Sequence, residues 1–267
     1  MQILFYIFMF ITGTVFGSFL CCQARRLHER ESKKKIKDKK SICLHCHKKL
    51  KFYDNIPIFS WLFLRGRCRF CHKKIGIAEF LAEILSGLSF LLLATTINVE
   101  KATPFAWAIF ITVIILTLIL IFLAIYDGLY GELPSLCLTF SIICAIIIVI
   151  LQTGNSYLLA GFFDEKTSQI LLNSLASGAL FGGIYLLLYL VSKGKWVGDG
   201  DWLLALAIGL ALGSPWLAMV ALFVANLSAC LVILPFMKKI KNHQIYFGPF
   251  LVFSFIIVYT CIDIINN

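Results

Sequence analysis

Long apolar runs separated by short polar segments dominate the chain. A helix needs about 20 apolar residues to cross the hydrocarbon core of a bilayer. The runs lack the alternation of barrel strands, and a helix satisfies its own backbone polar groups in lipid. We therefore expect an all-α integral membrane protein of about eight transmembrane helices with a small cytoplasmic zinc-ribbon-like insert. The predicted spans are residues 3–20, 78–97, 105–126, 136–151, 170–191, 202–212, 216–236 and 249–265.

The sixth run is short, and only a turn-like Gly-Ser-Pro at residues 213–215 separates it from the seventh, so merging the two would give seven spans. Charge favours eight, because all Lys and Arg residues except Lys101 and Lys166 then fall on one side of the membrane. The positive-inside bias places that side in the cytoplasm and both termini outside. The basic segments are residues 21–77, 192–201 and 237–248.

Composition agrees with this picture. The 267 residues are 60% hydrophobic and 14% charged, and the mean hydropathy is +0.90, which excludes an ordinary soluble globular domain. The formal charge of +10 predicts contact with membrane lipids and not with nucleic acid, because no nucleic-acid-reading motif accompanies it. The first run lacks a small-residue cleavage site, so we interpret it as a retained helix.

Three domains follow from the pattern: a first transmembrane helix at residues 1–20, a basic cytoplasmic zinc-binding domain at residues 21–77, and a seven-helix membrane domain at residues 78–267. The middle domain carries the run ERESKKKIKDKK and two C-x2-C pairs. Four thiolates at this spacing can surround a tetrahedral zinc ion that has no open position for catalysis. The predicted metal ligands are Cys43, Cys46, Cys68 and Cys71.

Other interpretations of the cysteines remain open. The four could form disulfides or stay as unrelated thiols, although a reducing cytosol favours a metal. Neighbouring histidines could substitute as ligands or lie in solvent; these are His45, His47 and His72. The remaining cysteines lie in or beside apolar runs, where we expect small packing residues; they are Cys21, Cys22, Cys137, Cys144, Cys230 and Cys261.

Few acidic residues lie near the predicted bilayer. Asp127 ends the third span and Asp201 opens the sixth, so the topology places both at the same cytoplasmic depth. Two carboxylates in a partly dry site share a proton and can activate water, which is the chemistry of an aspartyl protease. The competing interpretation is helix capping, which suits Asp201 better than Asp127 because the dipole disfavours an anion at a helix C-terminus.

The segment around the second acid reads G-D-G-D, from Gly198 through Asp199 and Gly200 to Asp201. Its glycines allow a sharp turn and a close backbone approach, which a site for an extended peptide needs. Glycine is also common where membrane helices pack together. The loop at Gly198, Asp199 and Gly200 is therefore expected to support the candidate active site.

With these motifs in view, the chain resembles the type IV prepilin leader peptidases and N-methyltransferases, a family of aspartic membrane proteases. The resemblance covers nearly the whole length. It rests on FGSFL before Arg26-Leu27, the cysteine pairs enclosing YDNIPIFSWLFLRGRCRFC, Asp127 seven residues ahead of Pro134, the G-x-G-D motif, and FGPF at residues 247–250.

The resemblance implies an enzyme of the bacterial inner membrane that cleaves the basic leader of type IV prepilins or pseudopilins at the cytoplasmic face. It further implies methylation of the new N-terminal amine with S-adenosylmethionine. Carried over by motif, Asp127 and Asp201 form the catalytic pair and the four paired cysteines bind zinc. The family often has other residues at four positions: Asn at Cys21, Pro at His28 and Tyr246, and Lys at Leu203.

Two other classes of function are compatible with the residues alone. A proton-coupled transporter would use intramembrane acids as a relay and the zinc ribbon as a regulatory cap, but it favours acids near the midplane and inverted repeats. A non-enzymatic assembly protein would bind partners through the zinc ribbon and leave both aspartates dispensable.

Overall fold

A computed structural model describes residues 1–31, 43, 45–46, 48–160, 165–194, 197–233 and 246–266. His47 and most of the basic runs at residues 29–40 and 237–248 lie outside these ranges. The chain divides into two compact units, Met1–Ala94 and Thr95–Asn267.

The first unit contains α1 (Gln2–Glu31), a 3-10 helix (Phe52–Asn55), the short α2 (Phe59–Phe63) and α3 (Ile77–Ala94). Helix α1 packs along α3. A Cβ on Gly17 would lie 2.7 Å from the carbonyl oxygen of Ala82, and one on Gly13 would lie 2.7 Å from that of Ser86. Because only glycine permits this separation, the two glycines bring the backbones together as small residues do in other membrane helix pairs.

Helix α1 continues well past the apolar run that predicted it, which ends at Leu20. The polar extension is tied to α3 by an ion pair between the Arg25 guanidinium and the Glu79 carboxylate, 2.5 Å apart. Helical structure therefore extends into the segment predicted as the start of the basic domain.

The second unit is built from six helices among its described residues: α4 (Pro104–Tyr130), α5 (Ser135–Ala160), α6 (Glu165–Ser192), α7 (Asp201–Leu212), α8 (Pro215–Ile233) and α9 (Gly248–Asn266). Local sequence sets the ends of α4. The Thr103 hydroxyl accepts a hydrogen bond from the Ala106 amide at 3.2 Å, and Pro104 occupies the first turn. Gly131 ends the helix in the left-handed conformation, with φ +71°.

Helix α7 is the central element of the second unit. It packs against α5, α6, α8 and α9, and nine of its twelve residues are buried. The Ser177 hydroxyl donates to the Gly209 carbonyl at 2.6 Å, and a Cβ on Gly209 would meet the Ser177 carbonyl oxygen at 2.6 Å. Small residues therefore hold α6 and α7 in near-backbone contact, which fixes the position of Asp201 at the start of α7.

Among the described residues, six helices are long and apolar enough to cross a membrane: α1, α3, α4, α5, α6 and α8. Two shorter apolar helices, α7 and the Gly248–Cys261 part of α9, occupy the remaining predicted positions. No β-strand occurs in the described ranges. The expectation of an all-α multi-pass membrane protein is confirmed.

Candidate active site

Asp127 lies in the last turn of α4 and is only 5% exposed. Its Oδ2 accepts a hydrogen bond from the Gly248 amide at 2.9 Å, and Gly248 is the first residue of α9. A Cβ on Gly248 would lie 2.7 Å from that same Oδ2. Asp127 therefore caps a helix other than its own, and the absence of a side chain at Gly248 makes the contact possible.

Asp201 is the first residue of α7 and is also 5% exposed. Its Oδ2 accepts from the Gly198 amide at 2.8 Å, and its own amide donates to the Gly198 carbonyl at 3.3 Å. Its carboxylate thus closes the preceding turn, and the residue at the cap position, Gly200, makes no side-chain cap bond. Asp201 is therefore not the N-cap residue, although its carboxylate lies in the first turn of α7, where the helix dipole favours an anion.

The fold brings the two acids together although 74 positions separate them in the sequence. Their carboxylates are close enough for electrostatic repulsion between them. Each has one oxygen held by a backbone N–H, while Oδ1 of each has no hydrogen-bond donor among the described residues. Two buried carboxylates in this arrangement bear one proton between them far more readily than two charges.

The two acids of the G-x-G-D loop differ in their exposure to solvent. Asp199 is exposed, whereas Asp201 is buried. Gly200 lies against α5 and the turn before it, because a Cβ there would meet the Leu133 Cβ at 2.7 Å and the Leu138 Cδ1 at 3.0 Å. Gly200 is thus needed for close packing, while Asp199 faces solvent.

Sequence reasoning missed two features of the site. Gly248 received no role, although it opens the apolar run with the FGPF motif. The buried hydroxyl of Tyr185 lies near Asn226 and Asp201. Its ring lies 5.7 Å from that of Phe247. A tyrosine inside an apolar run was the available signal.

The four cysteines of the insert form a cluster in the first unit. Their sulfur atoms all lie within 4.8 Å of one another, and Cys43 Sγ is 3.8 Å from Cys71 Sγ. Zn–S bonds of about 2.3 Å in tetrahedral geometry place sulfur atoms about 3.8 Å apart. All four are free thiols, so the cluster fits a zinc ion and not a pair of disulfides.

Both C-x2-C turns have the same backbone pattern. The Cys43 amide donates to the Lys48 carbonyl at 3.0 Å, and the Cys68 amide donates to the Lys73 carbonyl at 2.9 Å. Hydrogen bonds from the backbone N–H groups of Cys71 and Phe70 lower the pKa of the Cys68 thiol to about 7. These N–H donors favour the thiolate form of Cys68, which is the form that binds metal.

Comparisons with known proteins identify the family of this chain. Residues 11–97 match the family model described as the bacterial peptidase A24 N-terminal domain. The chain is 33% identical over 215 residues to the type 4 prepilin-like proteins leader peptide-processing enzyme of Escherichia coli O78:H11, covering 79% of this chain and 71% of that protein. The chain belongs to the prepilin leader peptidase family.

Two proteins named prepilin leader peptidase/N-methyltransferase have similar sequence identity to this chain. The protein from Neisseria gonorrhoeae is 32% identical over 228 residues, covering 84% of this chain and 71% of its own length. The protein from Pectobacterium carotovorum is 33% identical over 224 residues, covering 79% and 70%. No solved structure matches the chain.

Proposed function

We propose that this prepilin leader peptidase cleaves the basic leader of type IV prepilins or pseudopilins with Asp127 and Asp201 as the catalytic pair. The observation that carries the proposal is the convergence of two buried carboxylates, each held through one oxygen by a backbone N–H. This leaves one oxygen of each acid to act on water and on the scissile carbonyl. Family membership also supports an enzyme over a proton-coupled transporter.

The reaction needs one protonated and one ionised carboxyl group. The ionised aspartate takes a proton from a water molecule as that water attacks the scissile carbonyl. The protonated aspartate donates a hydrogen bond to the carbonyl oxygen, and a proton then passes to the leaving amine. The Gly248 and Gly198 amides hold the two carboxylates in orientation. Gly198, Asp199 and Gly200 form the supporting loop of this site.

The remaining assignments follow the same family. Zinc bound by Cys43, Cys46, Cys68 and Cys71 would have a structural role, because four protein ligands leave no open position. S-adenosylmethionine would supply the methyl group for the new N-terminal amine, and we assign no described residue to its binding. The enzyme would be a multi-pass protein of the bacterial inner membrane, with the dyad and the zinc domain facing the cytoplasm, which the distribution of Lys and Arg supports.

Conservative variants of the acids test the dyad. Asp127→Asn and Asp201→Asn should each reduce prepilin cleavage by roughly 10²–10⁴-fold, the range of general acid–base catalysis. Glu132→Gln is the matched control, because it removes an exposed carboxylate five residues from Asp127 and should leave cleavage intact. Mass spectrometry of a prepilin incubated with the full-length enzyme in vesicles would report leader removal and methyl addition together.

Zinc content and thermal stability would establish that the variants are folded. Cleavage by either Asn variant at the wild-type rate would refute the dyad, whereas no cleavage by the wild-type protein would favour a non-enzymatic assembly protein. A cleaved product that remains unmethylated in the presence of S-adenosylmethionine would refute the methyltransferase assignment alone.

A further inference from the structure

Residues 58–69, here called the elbow, present apolar side chains to the outside of the first unit. The elbow contains α2 and the turn after it, and none of the residues of α2 is buried. Phe59 is 60% exposed, Leu62 53% and Phe63 83%. Three large apolar side chains on a five-residue helix form an exposed patch that water solvates poorly.

Three contacts fix the elbow against the beginning of α3. The Ile58 amide donates to Glu83 Oε2 at 2.7 Å, and the rings of Trp61 and Phe80 stack with centroids 4.3 Å apart. The Ile75 amide donates to the Gly66 carbonyl at 2.7 Å, two residues before α3 begins. The elbow therefore lies beside the first two turns of an apolar helix.

These contacts set its depth relative to the membrane. Glu83 is six residues into α3, which is about 9 Å along the helix from its start. On the exposed face of the same turns, Ile77 is 60% exposed and Leu81 46%, as expected for side chains facing lipid. Since α3 is long and apolar enough to span, its first two turns, and the elbow beside them, occupy the boundary between head groups and acyl chains.

The backbone of the elbow is held in an unfavourable conformation. Ile58, a β-branched residue, has φ +63°, a conformation that such residues rarely adopt. The buried Glu83 carboxylate stabilises this conformation through its bond to the Ile58 amide. The hydrogen bond to this buried acid therefore helps to hold α2 beside α3, with Phe59, Leu62 and Phe63 exposed.

Cations adjoin the apolar patch. A cleft of about 450 Å³ is bordered by Phe63 together with Arg65, Arg67, Arg69 and His72. The Arg69 guanidinium is neutralised by Asp54, at 2.8 Å. Arg65 and Arg67 are exposed and have no ion pair with any described residue.

Cations outnumber acids around the cleft. Residues 56–78 include five Lys and Arg residues and no Asp or Glu, and Asp54 compensates one of the five, Arg69. Four thiolates on Zn²⁺ would add two negative charges, which the four remaining cations still exceed. An anionic phospholipid is complementary to this surface. Its acyl chains would lie next to the apolar side chains of α2, and its phosphate would lie in the cleft beside the unpaired arginines.

We propose that the elbow is a membrane-interface anchor that binds the head group of an anionic phospholipid through Arg65 and Arg67. Phe59, Leu62 and Phe63 insert beside the lipid acyl chains. The anchor holds the zinc-binding insert against the bilayer at the start of α3. Like charge would repel a basic prepilin leader from this surface. The ligand of the cleft therefore differs from the proposed substrate.

The apolar part is tested with a photoreactive p-benzoylphenylalanine in place of Phe63, in full-length enzyme reconstituted into phosphatidylcholine and phosphatidylglycerol vesicles. The control places the same probe at Lys49, an exposed position in the first cysteine turn. We expect lipid adducts by mass spectrometry at position 63 and few at position 49. No lipid adduct at position 63, or adducts only to an added prepilin, would overturn the proposal.

The charged part is tested by native mass spectrometry of the detergent-solubilised enzyme with added phosphatidylglycerol or phosphatidylcholine. Wild type should retain phosphatidylglycerol preferentially, and Arg65→Gln combined with Arg67→Gln should lose that preference at unchanged zinc content. Lys101→Gln, which removes an exposed cation from the second unit, is the matched control and should retain it. Equal retention of phosphatidylglycerol by the double variant and wild type would refute the role of the arginines.

Discussion

The contact between Gly248 and Asp127 gives the sharpest test of the proposed active site. In Gly248→Ala, the new Cβ would lie 2.7 Å from Asp127 Oδ2 and 3.2 Å from its Cβ and Cγ. Ordinary contact distances require a displacement of roughly 0.5–0.8 Å. A hydrogen bond of 2.9 Å would then lengthen to about 3.5 Å and be lost.

The size of the effect follows from the bond that is lost. A hydrogen bond to a charged group contributes about 1.5–3 kcal/mol, and about 1.4 kcal/mol is tenfold in rate. Gly248→Ala should therefore reduce kcat for prepilin cleavage by roughly 10- to 100-fold, because one carboxylate loses its orientation. The assay is the initial rate of leader removal in vesicles, followed by mass spectrometry.

Gly128→Ala is the matched control for this substitution. Gly128 follows Asp127 directly in α4, and its Cβ would meet only the Pro249 Cγ, at an ordinary 3.8 Å. Alanine in place of a helical glycine adds up to about 1 kcal/mol of helix stability. Activity of Gly248→Ala equal to wild type, or impairment of both variants alike, would refute the argument that this contact positions the dyad.

Three further variants test other parts of the structure. Cys68→Ser should lower the amount of bound zinc, measured by elemental analysis of the purified enzyme. Cys230→Ser, which replaces an exposed cysteine in α8, should leave it unchanged. Equal zinc content in the two variants would contradict the metal site. Gly17→Ala should destabilise the protein by about 1–3 kcal/mol through overpacking, whereas Gly183→Ala should not, because open space surrounds Gly183. Thermal unfolding of the two variants distinguishes them. Equal transition temperatures would show that α1 and α3 can move apart at no cost in stability. Tyr185→Phe tests whether Asn226 is the hydrogen-bond partner of the buried Tyr185 hydroxyl. Loss of that bond should lower the free energy of unfolding by about 0.5–1.5 kcal/mol, and an unchanged or higher value would show that the hydroxyl is unpaired.

Some features were predictable because the relevant signal is local in sequence. The length and composition of an apolar run predict a helix that can lie in the membrane, so the apolar helices of the described residues lie where the pattern placed them. The two C-x2-C turns carry their own geometry, and the four sulfur atoms converge as expected. The candidate acids were found because carboxylates are rare beside hydrocarbon.

Other features depend on contacts that sequence spacing does not encode. The donor to Asp127 lies 121 residues away, at Gly248, and nothing in an FGPF motif specifies which helix its amide faces. The polar extension of α1 to Glu31 escaped prediction because its residues are helix formers without an apolar stripe. The elbow escaped because its conformation depends on Glu83, 25 positions from Ile58.

The shortness of α7 has a consequence for the access of water. Twelve residues give a helix of about 18 Å, against about 30 Å for the hydrocarbon core. Because α5, α6, α8 and α9 pack around α7, roughly 12 Å of that thickness beyond the ends of α7 is bordered by protein and not by lipid. Asp201, at one end of α7, would then lie at the base of a recess within the protein. Such a recess would bring water to a peptide bond below the level of the bilayer surface.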